Sequence, residues 1–411
     1  RGKMKSAGRA RLFVVIGLLG LLICLCAGCS AALQQRQLLM AQGAGWLRQW
    51  VGNQAVADLE ALVFQAQDGL RQRLYDWGLR QAEAPWQESL PNGAAARPTH
   101  TPQPPAAAAQ PDLTAPQPTQ AVSPTPAPTT PSPTPSGFWL ADVEPLGSIQ
   151  GEGAWEPYLF NPQRQPAGYR TFLQPDPNRP YTLVGVVAFD LQQTRLHFVL
   201  GSEEPATQAL GLDGIMPYSD RRAGHLLATF NGGFLSTHGM FGAMANNLTS
   251  IAARSHLATV GIYPDGKVEI GAWDELSNPY AMKAWRQNAL PMIQQGQISE
   301  QVYSNSIADW GGSLDGDIVT WRSGLCLDQP GQVLYYFAGS SLDMPNLARS
   351  MQAVGCWQGM LLDINEYWVF FAAVRENLNT EPLFPEMNFN TGRYLYPSKR
   401  DFFYVTLAET P

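Results

Sequence analysis

The sequence predicts an α+β fold, with mixed or largely antiparallel sheets and a few packed helices, preceded by a membrane helix, a helical stalk and a disordered linker. Three observations carry this reading. Apolar runs of strand length dominate from Phe138 onward, with few segments of helical periodicity between them. Residues 91–136 are dominated by Pro, Thr, Ala, Gln and Ser, a composition that cannot bury a core. The chain opens on basic residues followed by 22 uncharged ones.

Arg1, Lys3, Lys5, Arg9 and Arg11 precede that uncharged stretch, Leu12 to Leu33, which is long enough to cross about 30 Å of hydrocarbon as a helix. Positive flanking charge holds such an end in the cytoplasm and sends the remainder outside. Segment 1–33 then has two readings. It is a retained signal anchor, or a lipoprotein signal, because LCAGCS (25–30) is similar to a lipobox ending at Cys29, with Cys26 where that motif carries Leu. Both predict a membrane-anchored protein with its bulk outside the cytoplasmic membrane. A net charge of −7, with no Lys/Arg-rich run beyond the extreme N-terminus, argues against a nucleic-acid partner.

Residues 34–90 read as a membrane-proximal helical stalk. Leu47, Val51, Ala55, Leu59, Leu62, Ala66, Leu70, Leu74 and Trp77 recur at three- and four-residue steps, while Gly43, Gly45 and Gly52 weaken the first part. Such a stripe suits self-association, or, through Trp46, Trp50 and Trp77, a lipid interface. The 91–136 linker is an extended spacer. The globular domain, 137–411, contains the strand-like runs 181–191, 195–201, 225–234, 258–273, 318–328 and 332–339, with hairpin chemistry at PDG (264–266). Helix is predicted over Met344–Gly355, where Leu347, Met351 and Val354 share a side and Gly355 suits the C-terminal cap. Cys326 and Cys356 are either bridged in an oxidising compartment or two small buried hydrophobes, and their spacing has no zinc pattern.

No phosphate-cradling Gly-rich loop, HExxH or GxSxG occurs, and the five histidines are scattered. His197 alternates with apolar residues and reads as structural, whereas His225 and His238 flank the FNGG turn and are candidate site residues. SLDGD (313–317) reads as a turn rather than a metal loop. Three polar sets stand out. In TFNGGFL (229–235), Asn231 with Gly232 and Gly233 at a strand end predicts a turn with positive φ and free N–H groups, either a hairpin or an anion site. Arg286 in WRQN and Arg322 in TWRSG sit mid-strand, where arginine calls for a carboxylate or phosphate. An internal Arg322–Asp363 pair is the structural option. The third set is Asp363 with Asn365, in QGMLLDINEYWVFFAAV (358–374). Taken as one strand, that run places Leu361, Asp363, Asn365 and Tyr367 on one face and Glu366 on the other. Burying an unpaired carboxylate costs several kcal/mol, so Asp363 either has a partner or lines a site.

In order, FNGGF, VGIYPDGKVEIGAW, WRSGLCLD, LARSMQAVG and LLDIN, spread over roughly 225–405, resemble the phosphodiester glycosidase family. Better-known members end that series on Asp followed by glycines. LDINEYW, with WRQN upstream and RYLYPSKRDFF near the end, is similar to a bacterial branch carrying LDIN. The resemblance implies a cleft formed by Asn231, Gly232, Gly233, Arg322 and Asp363, and hydrolysis of a sugar 1-phosphodiester. Arg322, with Arg286, would neutralise the phosphodiester. Asp363 would act as acid/base or as electrostatic stabiliser of an oxocarbenium-like transition state. Asn231 and Asn365 would bind hydroxyl or phosphate oxygens, and Glu366 is a candidate second carboxylate on the wrong strand face. No cofactor and no metal ligand is named, and a divalent cation is left open. The expected partner is a carbohydrate or glycosyl-phosphate polymer. The rival reading is a non-catalytic domain that binds or organises cell-wall polymer on the same fold.

Overall fold

Short apolar and aromatic runs punctuated by Gly, Pro, Asn and Asp fold here as antiparallel strands, most of them buried on both faces. A computed structural model describes residues 53–79, 81–86, 138–303, 318–387 and 390–409. In chain order the strands are β1 (Glu156–Phe160), β2 (Pro166–Leu173), β3 (Val184–Asp190), β4 (Thr194–Val199), β5 (Leu226–Asn231), β6 (Ala243–Ala245), β7 (Leu248–Ile251), β8 (Ala258–Ile262) and β9 (Val268–Ala272). There follow β10 (Ala284–Gln287), β11 (Pro291–Gln294), β12 (Gln297–Ile298), β13 (Thr320–Leu327), β14 (Val333–Leu342), β15 (Gln358–Ile364), β16 (Phe371–Val374), β17 (Thr380–Pro382) and β18 (Phe402–Leu407). The α-helices are α1 (Asn53–Asp76) and α2 (Met344–Val354).

An eight-stranded sheet has the order β1-β2-β3-β14-β13-β15-β11-β12, and two five-stranded sheets run β7-β6-β10-β8-β9 and β17-β16-β5-β18-β4. Every strand pairing among the described residues is antiparallel, which agrees with the largely antiparallel of the two arrangements expected from sequence. The large sheet faces the β5 sheet across an aromatic layer. Phe189 and Tyr336 of the one meet Phe230 and Phe371 of the other at ring distances of 4.9–6.2 Å. The β10 sheet carries a small core of its own, Met244, Tyr263, Met282 and Trp285. β8 and β9 form the hairpin expected around PDG, with Gly266 at φ +91°. α2 starts on Asp343, whose carboxylate accepts from Asn346 N, and ends on Gly355 at φ +90°.

One expected element breaks in two. The run 358–374 is not a single strand: β15 ends at Ile364, Asn365 turns the chain at φ +79°, and β16 joins a different sheet. Asn tolerates the left-handed region that a turn of this kind needs. The turn carries the chain from one layer of the sandwich to the other, and the site lies beside it.

The described residues of 53–85 and 140–409 belong to one compact unit. Within it, α1 docks on the body through a face other than its apolar stripe. Asp68, buried, accepts from Arg179 Nε at 3.0 Å and Tyr181 OH at 3.1 Å, and Arg71 Nη1 donates to Ser341 Oγ at 2.9 Å. Phe64 is buried beside them, whereas Leu62, Leu70 and Trp77 of the predicted stripe face outward. No described helix is long and apolar enough to cross a membrane. The 1–33 segment, the 91–136 linker, the first part of the predicted stalk and SLDGD (313–317) lie outside the described residues.

Cys326 and Cys356 form a disulfide, with Cα atoms 5.7 Å apart, joining the end of β13 to the residue after the α2 cap. Closing that 30-residue separation stabilises by about 3–4 kcal/mol on the chain-entropy account. The Cys326→Ala/Cys356→Ala variant is therefore expected to lose about that much in urea unfolding compared with the oxidised protein. Asp68→Ala leaves Arg179 with Asp176 alone and removes an anchor worth about 1–3 kcal/mol. Hydrogen exchange should then speed up in α1 while β13 to β15 stay protected.

Candidate functional site

The ends of β5, β10 and β15 and the start of β18 converge, and each delivers polar side chains into an apolar surrounding. β5 delivers Asn231. Its Oδ1 accepts from Tyr336 OH (2.9 Å) and Phe370 N (3.0 Å), and its Nδ2 donates to Gly232 O (2.9 Å) and Ser323 Oγ (3.0 Å). That uses the full capacity of an amide. Ser323 Oγ in turn donates to the Asp363 carbonyl at 2.7 Å. Burial pushes the Tyr336 hydroxyl well above its usual range, so it stays a neutral donor.

Gly232 and Gly233 do not adopt the positive φ expected of them. They are glycines because side chains crowd them: a Cβ on Gly232 would strike the Asp401 carboxylate, and one on Gly233 would lie 2.9 Å from the Arg286 guanidinium carbon. Both N–H groups are met internally by Asp401, and only that of Gly233 by its carboxylate. Gly233 N donates to Asp401 Oδ2 at 3.0 Å and Gly232 N to the Asp401 carbonyl at 3.2 Å.

β10 delivers Arg286, which is 0% exposed. Nε donates to Asp401 Oδ2 (2.8 Å), Nη1 to the carbonyls of Phe241 (3.0 Å) and Gln287 (2.8 Å), and Nη2 to that of Phe234 (2.6 Å). Four of its five N–H groups are thus taken inside the protein. The phosphodiester contact expected of Arg286 is replaced by an ion pair with Asp401. Asn288, just past β10, ties this corner to β15 by donating to the carbonyls of Leu361 (3.0 Å) and Leu362 (2.9 Å).

β15 delivers Asp363, 5% exposed. Oδ1 accepts from Ile364 N at 2.9 Å and Oδ2 from Arg400 Nη2 at 2.5 Å; the same Nη2 donates to Gly233 O at 2.9 Å. Burial raises the carboxyl pKa to about 6, against the opposing pull of the Arg400 charge. Arg400 packs its guanidinium on the Trp368 ring, 4.2 Å from the centroid.

The arginine that meets Asp363 is therefore Arg400 and not Arg322. Arg322 donates from Nε to Leu342 O (3.0 Å) and from Nη2 to Ile318 O (2.7 Å), and its charge is felt by Asp343. Adjacent strand residues point to opposite faces, and in β13 it is Ser323 that faces the Asp363 corner. Asn365 spends its side chain on its own turn, accepting from Tyr367 N at 2.8 Å. Glu366 is exposed and lines, with Phe64, Gln67 and Trp321, a crevice under α1. His225 precedes β5 at the end remote from Asn231, about 20 Å of strand away. His238 closes a short turn, Ser236–His238, beyond Phe234. His197, read as structural, stacks on Tyr404 at 4.5 Å with Nε2 3.0 Å from Thr406 Oγ1, and burial lowers its pKa to about 4. No group of His, Cys, Asp and Glu among the described residues has metal-binding geometry.

Five candidates thus share one corner, Asn231, Gly232, Gly233, Arg286 and Asp363, while Arg322, His225 and Glu366 lie elsewhere. Sequence reasoning missed Arg400, Asp401, Asn288, Tyr336 and Trp368. The signal for the first two was present, a charged Lys399-Arg400-Asp401 run immediately before the apolar strand FFYVTL.

No protein-family profile and no curated protein matches the sequence. Among solved structures the chain is distantly similar to the zebrafish N-acetylglucosamine-1-phosphodiester alpha-N-acetylglucosaminidase catalytic domain, auto-inhibited by its pro-peptide. The TM-score is 0.41 and the identity 13%, over 62% of this chain and 88% of that one. It is also distantly similar to a hypothetical protein from Synechocystis (TM-score 0.33, 10% identity, 62% of each chain). A third is a putative exported protein from Burkholderia pseudomallei K96243 (TM-score 0.29, 8% identity, 55% of this chain and 74% of that one). At these levels the likeness is one of fold, and distant, so the chemistry rests on this chain's own residues.

A carboxyl that holds its proton more tightly folded than unfolded destabilises the fold as pH rises between the two values. For Asp363 these are about 6 and the ordinary 3.8. Relative to Asp363→Asn, the wild type should lose on the order of 2–3 kcal/mol of unfolding free energy between about pH 4 and about pH 7. Parallel urea titrations at the two pH values read this difference.

Proposed function

We propose that this chain is a hydrolase of sugar phosphodiesters, or of a related cell-envelope glycan, acting from a membrane-anchored position outside the cytoplasmic membrane. The observation that carries the reading is Asp363: a buried carboxyl at converging strand ends, with its pKa raised to about 6 and a guanidinium 2.5 Å away. Buried titratable groups perturbed in this way concentrate where chemistry is done.

In a sugar 1-phosphodiester the leaving group is a phosphomonoester, acidic enough to depart without a strong proton donor once a cation meets its charge. The demanding parts are the oxocarbenium-like centre at C1 and the activation of water. Ionised Asp363 suits both. The C1–O bond to phosphorus breaks and its electron pair leaves with the phosphomonoester. Water delivers its hydroxyl to C1, and the water proton passes to the Asp363 carboxylate and on to solvent. Arg400 keeps that carboxylate ionised near neutrality and stands where negative charge develops. The ordered motif series that resembles the phosphodiester glycosidase family adds to this reading. The apolar 12–33 stretch and the Cys326–Cys356 bridge support export and a membrane tether.

A second reading, a non-catalytic domain that binds or organises cell-wall polymer, draws on a specific observation. Asp363 and Arg286 are each closed on an internal partner, and Asn231 has no hydrogen-bonding capacity left. Turnover separates the two. The full chain is expected to cleave N-acetylglucosamine 1-phosphodiesters or teichoic-type polymers, with kcat rising through an apparent pKa near 6 as Asp363 ionises. Asp363→Asn should lower kcat by about 100-fold or more. Absence of turnover, with polymer binding intact in Asp363→Asn, would replace the hydrolase by the binding domain.

A further inference from the structure

We propose that Arg400 receives an anionic oxygen of the ligand on its Nη1, which makes the Asp363–Arg400 corner a reader of phosphate esters. This rests on the reading of the same corner as the place where a sugar phosphodiester is met, but it concerns holding the anion rather than cleaving it.

The two buried arginines of the site differ in how far the protein satisfies them. Arg286 has acceptors on Nε, Nη1 and Nη2. Arg400 directs Nη2 at Gly233 O and Asp363 Oδ2, while Nη1 is buried and has no acceptor among the described residues. Buried guanidinium donors are ordinarily met, so an unmet one beside a carboxylate is an unusual expense; Asp401 Oδ1 is another buried polar atom of this corner without a hydrogen-bond partner. The unmet edge has a defined direction. Trp368 covers one face of the guanidinium and the Nη2 edge is taken, which leaves the Nη1 edge for an incoming oxygen.

The ligand class follows from the donor. A planar guanidinium matches the paired oxygens of a phosphate, and an anion on Nη1 would compete with Asp363 for the same positive charge. An oxygen held there lies next to the Asp363 carboxyl, so a phosphate ester bound through it would bring its ester carbon toward that group. The rim beside the pair includes the partly exposed turn Asn365–Trp368, and an anion would enter by shifting it.

Calorimetric titration of the full chain with inorganic phosphate and with N-acetylglucosamine 1-phosphate tests this. Asp363→Asn removes the competing carboxylate and should bind inorganic phosphate about fivefold tighter than wild type. Arg400→Lys keeps the charge but loses the planar edge and should bind about tenfold more weakly. Asp363→Asn/Arg400→Gln removes both charges, leaves none buried alone, and should bind neither ligand while keeping the wild-type circular dichroism spectrum. The proposal is overturned if the double variant binds phosphate as wild type does, or if Asp363→Asn binds none. Arg400-dependent phosphate binding without turnover of any sugar phosphodiester would sink the hydrolase reading and leave this one standing. Turnover in Arg400→Lys with unchanged KM would do the reverse.

Discussion

Two consecutive residues, Arg400 and Asp401, hold the site together by pairing in opposite directions. Arg400 takes Asp363 at the end of β15, and Asp401 takes Arg286 on β10. Between them they clamp the Gly233 peptide, whose carbonyl accepts from Arg400 and whose N–H donates to Asp401. Because both lie at the head of β18, the register of that strand against β5 sets both pairs at once. Removing one member of such a buried pair leaves a charge uncompensated, at a cost of about 3–5 kcal/mol. The clamp therefore ties the three sheets to a single relative placement, and any slip of β18 would break both pairs together.

How legible this was depends on the distance at which each partner lies in sequence. Asp363 and FNGG announce themselves locally, as a carboxylate in an apolar run and two glycines after an Asn at a strand end. β13, β14, the β8–β9 hairpin and α2 also follow from local pattern: β13 and β14 are continuous apolar runs buried on both faces, the hairpin turns on PDG, and α2 keeps its apolar residues at helical spacing. The partner of Asp363 does not. Arg322 and Arg400 are both arginines in or beside apolar strands, and only the tertiary register distinguishes them. A shift in the pairing of β13 with β15, between Arg322 and Gly324, decides that Ser323 meets the Asp363 backbone. The glycines were recognised for a reason that does not operate, since close approach and not backbone conformation requires them.

α1 shows the same limit from another side. An apolar stripe at helical spacing ordinarily marks the buried face. Here Leu62, Leu70 and Trp77 are exposed, and the docked face is carried by Asp68, Arg71 and Phe64. An ion pair with Arg179, strengthened by the Tyr181 hydroxyl, overrides the stripe in seating the helix. The face so formed borders Glu366 and Trp321, next to the turn that follows Asp363.

At that turn Ile364 and Asn365 do what glycines would not, and the difference falls unequally on the two positions. Asn365 keeps the left-handed conformation at φ +79° and caps its own turn, so the backbone course a glycine would allow is retained. Ile364 still donates its N–H to Asp363 Oδ1, which needs no glycine. What changes at 364 is volume. The Ile side chain is buried, paired in register with Arg322, and fills space that a glycine would leave open. The carboxylate and its backbone donor are thus kept, while the added volume falls on the Arg322 face of β15, opposite the Asp363 side chain.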